Sequence, residues 1–144
     1  MKVYTSYFAR QKKMELPDTA YISIAVGNPK YPVPYELKNA NTLKPYGVFG
    51  KYEGDEYEIA YRKKLDRTGT AKIRSEVVRL AEGHENVMLM CHEKDPSICH
   101  RRIFAKWWEE KTGQEIPEFG HKTVPVPKEE TLEERQEDLF SILP

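Results

Sequence analysis

The segment from Asn86 to Trp108 constrains the fold more than any other, because it reads as a strand, a polar loop and a helix in immediate succession. Val87 to Met90 is an apolar run of strand length, too short for a helix and bounded by polar residues, and it predicts a buried strand. Asp95-Pro96 suits an N-cap followed by the first helical position. Beyond it Ile103, Phe104, Trp107 and Trp108 form one apolar helical face, with Arg102, Lys106, Glu109 and Glu110 outward and Gly113 placed to close the helix. In open α/β sheets ligands sit in the crevice beyond the carboxyl ends of strands. Both cysteines and two of the four histidines fall in this connection, so chemistry is sought there.

The rest of the chain agrees with a layered fold. Val3 to Phe8 alternates as a strand does. Thr19 to Val26 alternates too, mixing β-branched with small residues, and is expected to pair near the first strand. Gly27 to Pro45 carries prolines at 29, 32, 34 and 45 and reads as a long ordered loop or an active-site rim. Asp55-x-x-Glu58 reads as a capping pair opening a helix to about Asp66. Thr70 to Glu82 follows as a second helix, with Ile73, Val77, Leu80 and Ala81 on one face and Gly83 to end it, and Gln114 to Phe119 is expected to add a short edge strand. The alternation predicts an α/β layered domain over residues 1–120, its mostly parallel central sheet flanked by helices. A Pro-rich linker and acidic tail, 121–144, complete it.

The length of 144 residues suits one domain. Its 23 basic and 23 acidic residues balance, yet residues 128–144 carry two basic and six acidic side chains, a net of −4 that leaves +4 on residues 1–127. Bulk charge therefore predicts no strong sequence-independent grip on nucleic acid. The N-terminus reads as a strand and not as a signal peptide, and no apolar run reaches membrane-spanning length. Two cysteines are too few for a secreted disulfide framework. A cytoplasmic location with no membrane partner is expected, and a disulfide is not.

Within the loop, the backbone donors of Ser97, Ile98 and Cys99 at a helix start, with the Arg101 and Arg102 guanidinium groups beside them, form a candidate anion site. The alternative is that Arg101 pairs with Glu93 or another internal acid and ties the loop. Cys91, at the end of a buried strand before a helix dipole, is a candidate nucleophile, against a small buried structural thiol. The Cys-x5-Arg loop of tyrosine phosphatases is absent, since Ser97 and Ala105 stand where its arginine would fall after Cys91 and Cys99. Glu93 and His100 are the candidates for acid-base work, against a His100 bonded to backbone beneath Phe104. Cys91, His92, Cys99 and His100 do not match a familiar zinc spacing, and a strand sends Cys91 and His92 to opposite faces, so neither metal nor cofactor is expected. Tyr4, Tyr31, Tyr35, Tyr57 and Tyr61 are numerous enough to line a crevice, although packing explains the helical pair Tyr57 and Tyr61 equally well.

The pattern Leu-x-Cys91-x-Glu93-Lys-x-Pro96-x-x-Cys99-His100-Arg101, with Ile103 and Trp107 to Glu109 after it, resembles the signature of the Domain of Unknown Function 488 family. The likeness extends back through Tyr21 to Tyr31, Leu43-Lys-Pro45 and Tyr57 to Leu65, roughly residues 1–118. It implies an α/β fold of strands flanked by helices and no settled reaction. Many members place an Asp and an Arg at the end of the second strand, where this chain has Ala25-Val-Gly27-Asn28, so no chemistry resting on that pair carries over.

Gln136-Glu-Asp-Leu139-Phe140 is similar to the Gln-x-x-Leu-Phe motif that docks bacterial replication and repair proteins on the sliding clamp. A short extended tail with two adjacent apolar anchors and a glutamine at the pocket rim suits such docking. The alternative is an amphipathic helix, Leu132, Gln136, Leu139 and Leu143, folded back on the domain. Two functions are thus expected to compete. One is an accessory enzyme of DNA metabolism that binds a phosphate-bearing ligand, a nucleotide or nucleic-acid end, at Cys91 to Arg102. The other is a non-catalytic interaction module recruited through its tail, with a structural Cys-His-Arg motif.

Overall fold

Four strands, β1 (Lys2–Tyr7), β2 (Thr19–Ser23), β3 (Leu37–Asn39) and β4 (Asn86–Cys91), form one all-parallel sheet in the order β1-β4-β2-β3. The computed structural model describes residues 1–95 and 99–120, so Ser97 and the tail residues Gln136, Leu139 and Phe140 lie outside the described residues. All six residues of β4 are buried. That is why its apolar run lacks alternation: it needs a strand on either side and a layer on either face. It finds Val3 and Ala20 on either side of Val87. β2 therefore does not lie beside β1 as its sequence position suggests, because the motif strand occupies the slot between them.

Three helices accompany the sheet, α1 (Gly54–Thr68) and α2 (Thr70–Ala81) between β3 and β4, and α3 (His100–Thr112) after β4. Their apolar stripes meet one sheet face, where Tyr61, Leu65, Ile73, Val77, Phe104 and Trp107 pack with Val3, Ile22, Val87 and Leu89. The other face is covered differently. Tyr4, Tyr21, Met88 and Met90 are sealed there by Phe8, Tyr35 and Phe119 from connecting segments. No described helix is long and apolar enough to cross a membrane.

Local signals held unevenly. The stretch read as a loop between Gly27 and Pro45 contains β3 and a short 3-10 turn, Asn41–Leu43. Three of its four prolines precede β3 and Pro45 follows it, and β3 lies at the sheet edge where a missing donor costs least. α1 starts on Glu53 as N-cap without a side-chain cap bond, so the Asp55 and Glu58 capping pair is not made, and the acids of the first turn act on the helix dipole instead. α1 and α2 share Gly69, whose φ of +85° is one an L side chain rarely adopts. α2 stops on Glu82, one residue before Gly83. α3 starts at His100 on Cys99 as N-cap, later than Asp95-Pro96 suggests, and ends on Gly113 as its sequence indicates. The expected edge strand is reduced to one parallel bridge, Thr5 with Glu118, on the free side of β1.

Tyr35 stacks on Tyr21 with centroids 4.3 Å apart and donates its hydroxyl to the Phe8 carbonyl at 3.0 Å. Burial pushes its hydroxyl up to about 12, with Tyr31 and Tyr21 adding to the shift. The unfolded side chain ionises near pH 10, so the folded state holds the proton longer. Its contribution is complete below that pH and is lost as pH climbs towards 12. Tyr35→Phe should therefore flatten the alkaline loss of unfolding free energy by on the order of 2 kcal/mol, read by denaturant titration across that window. Parallel pH curves for the variant and the wild type would refute it.

Candidate functional site

The chain leaves β2 towards β3 on one side of the sheet, whereas after β4 it passes through α3 to the segment that bridges the far edge of β1. Connections that depart in opposite directions from neighbouring strands make a topological switch point, and the crevice there is the expected binding place. A cleft of about 590 Å³ occupies it. Ala25 to Gly27 after β2, Cys91 to Glu93 after β4, the start of α1 and the first turn of α3 form its walls.

The cleft is acidic. Glu53, Asp55, Glu58 and Glu93 line it, with no lysine or arginine among the lining residues. The Glu93 carboxylate has no hydrogen bond or ion pair among the described residues, and it faces the Tyr57 side of the cleft. There burial, aided by the negative charge of Glu93, pushes the Tyr57 hydroxyl up to about 12. Of the five tyrosines expected to line a crevice only Tyr57 does so. Tyr4 packs edge-on against Phe119, Tyr35 is in the same core layer, Tyr61 donates to the Leu43 carbonyl at 2.6 Å, and Tyr31 lies under the Lys12 ammonium.

Arg101 is not available to an anion. It is fully buried, and its Nε and Nη2 form a fork onto Glu118 at 3.0 and 2.9 Å. Its Nη1 donates to the Glu93 carbonyl at 2.7 Å and to Cys91 Sγ at 3.0 Å. Arg102 is likewise engaged, donating from Nη1 to Thr5 Oγ1 at 2.9 Å and to the Ile116 carbonyl at 2.8 Å. The anion site expected from Cys99, Arg101 and Arg102 is thereby corrected. The two arginines pin the 116–118 segment to the end of the sheet, and Cys99 caps α3. Sequence reasoning missed Glu118 as the partner acid; its only signal is a charge set between the apolar Ile116 and Phe119.

His100 is buried and edge-on to Tyr61, with centroids 5.4 Å apart. Its Nε2 lies 2.6 Å from the Ile24 carbonyl, which can only accept, so Nε2 carries the proton and Nδ1 is a bare lone pair facing Cys99 Sγ at 3.9 Å. Burial holds its pKa below the usual imidazole value, and the Ile24 bond opposes that shift. Nε2 is thus committed to a backbone carbonyl, as the alternative held, and only the bare Nδ1, turned to the buried sulfur, is left, which corrects the expected acid-base role. His92 is exposed and donates to the Gly27 carbonyl at 2.6 Å.

Cys91 and Cys99 are joined by a disulfide, contrary to the expectation from composition. The cap residue of α3 lies against the last residue of β4, so the two sulfurs meet across a sequence separation of eight. In this form Cys91 cannot act as a nucleophile.

A family model described as the active DUF488-N3 subclade matches residues 43–112. This part of the chain is similar to the DUF488 family. The matched region runs from the turn before α1 to the last turn of α3, so it contains the α1 acids, β4 and the loop between Cys91 and Arg101. No curated protein and no solved structure matched the chain.

Proposed function

We propose that this protein is an enzyme working in the switch-point cleft on a nucleotide or nucleic-acid end, with Glu93 as its proton-transferring carboxylate. The observation that carries the proposal is a cleft lined by four carboxylates and by no lysine or arginine, in which the Glu93 side chain has no hydrogen bond or ion pair among the described residues. That charge decides how the ligand enters. Two like charges 4 Å apart repel by about 4 kcal/mol at the effective dielectric of a protein surface, so a phosphate stays at the mouth. Base N–H groups or sugar hydroxyls donate to the carboxylates inside. Tyr57 and Phe49 line the same cleft and offer faces for a planar ring. The subclade description, which calls its members active, agrees with turnover. Recruitment to DNA through Gln136, Leu139 and Phe140 on a bacterial sliding clamp belongs to the same proposal and is checked by binding of a 128–144 peptide to a clamp.

The competing interaction module draws support from Arg101, which serves the fold. Glu93→Gln separates the two, since that side chain holds no bond the fold needs. A thermal-shift screen of nucleosides, nucleotides, inorganic phosphate and short DNA ends should give stabilisation by a nucleoside or nucleotide and none by phosphate alone. With the ligand found, Glu93→Gln should cut turnover by roughly 10²–10⁴-fold while melting as the wild type does. Turnover unchanged in that variant, or no shift from any nucleoside or nucleotide, would remove the proposal.

A further inference from the structure

We infer that, with its disulfide reduced, the protein binds one thiophilic divalent cation, zinc above all, through Cys91 Sγ, Cys99 Sγ and His100 Nδ1. These three donor atoms lie within 4.8 Å of one another, and all three residues are buried. Two thiolates and an imidazole are the donor set that zinc prefers. The second layer is already in place. Metal-bound histidines commonly donate their other N–H to a backbone carbonyl, which fixes the tautomer, and here His100 donates from Nε2 to Ile24 and leaves Nδ1 bare on the sulfur side. On the other side Arg101 Nη1 stands 3.0 Å from Cys91 Sγ, ready to donate to a thiolate.

Charge also favours the ion. Two buried thiolates are costly without a cation, and Arg101, which reaches Cys91 Sγ, is already neutralised by Glu118. A divalent ion balances both sulfurs. Cys91 and His100 reach the cleft wall whereas Cys99 lies behind them, so the fourth coordination position opens to the cleft beside Glu93. Three protein ligands with one open position is the arrangement of metal sites that take a water or a ligand. The inference does not depend on turnover in the cleft, because it rests on the sulfur and imidazole atoms alone.

An external thiol or phosphine supplies two electrons to the Cys91–Cys99 bond, giving two protein thiols and one oxidised reductant. Two thiol protons then leave as two metal–sulfur bonds form. The oxidised protein has no thiolate to offer, so disulfide and metal-bound forms exclude each other and oxidation releases the ion.

The test uses the full chain, reduced with a phosphine and desalted without oxygen. Thiol titration should find both cysteines free. Zinc should then stay with the protein through desalting at one ion per chain and raise its melting temperature. Cobalt in its place should show sulfur-to-metal charge-transfer absorption and intense visible bands of a four-coordinate ion. Diamide should release the metal. Cys99→Ser should weaken zinc by more than the roughly 10–100-fold that an outer partner is worth, while the exposed His92→Asn should leave it unchanged. Reduced wild type that keeps no zinc, or cobalt spectra without sulfur ligation, would overturn the inference. Wild-type zinc affinity in a folded Cys99→Ser variant would do the same. If that variant does not fold, the wild-type stoichiometry and cobalt spectrum decide alone.

Discussion

Arg101→Met should cost about 3–5 kcal/mol of stability, because it leaves Glu118 as an uncompensated charge in a dry site. The guanidinium is fully buried and the Glu118 side chain nearly so, and the fork between them is the only ion pair among the described residues with both partners buried. Arg101 also carries the Glu93 carbonyl and lies 5.9 Å from the Tyr7 ring, so its removal loosens the loop, the end of β1 and the 116–118 segment together. The melting temperature should fall by roughly 10–15 °C. Replacing both partners, Arg101→Met with Glu118→Met, should recover most of the loss, since an apolar pair of similar volume often matches a buried ion pair. A single variant that melts with the wild type and loses ligand affinity instead would return Arg101 to the role of an anion anchor. The double variant thus tests whether the Cys-His-Arg motif holds the fold together at this position.

Trp107→Ala should cost a comparable 3–5 kcal/mol by emptying the seam between α1 and α3. Trp107 is buried against Phe104 and Trp108, each with ring centroids 6.3 Å away, and its Nε1 donates to Asp66 Oδ1 at 2.8 Å. That bond is the main reason the Asp66 carboxyl sits below the usual carboxylate range. Trp107→Phe keeps the ring and loses the N–H, so it should retain most of the stability. Denaturant titration of the three proteins gives the order directly. A loss below about 1 kcal/mol in the alanine variant would mean that the seam collapses to fill the space. Because α1 supplies three of the four cleft carboxylates or their immediate cap, its docking through Trp107 also holds the candidate site in shape.

The strand, loop and helix around Cys91 were legible because each is encoded locally. A six-residue strand buried on both faces needs an unbroken apolar run, and a helix lying on a sheet needs the spacing seen in Ile103, Phe104, Trp107 and Trp108. The same reasoning found Glu93 in the cleft. It placed Arg101 wrongly as an open cation, although the alternative it raised, a tie to an internal acid, proved right in kind and named a different acid. Asp95-Pro96 misled about the helix start because cap preferences are worth only about 1 kcal/mol, and Cys99 stands at the cap instead.

The sequence by itself determined the α/β class, the buried character of β4, and the faces of α2 and α3. Only the tertiary structure decided that β4 lies between β1 and β2, that Glu118 meets Arg101, that the acids of α1 surround Glu93, and that Cys91, Cys99 and His100 converge. The physical reason is that periodicity records which face of a segment is apolar. Which charges and sulfurs become neighbours depends on crossovers that bring together residues far apart in sequence, 113 positions for Thr5 and Glu118, and no local pattern encodes that.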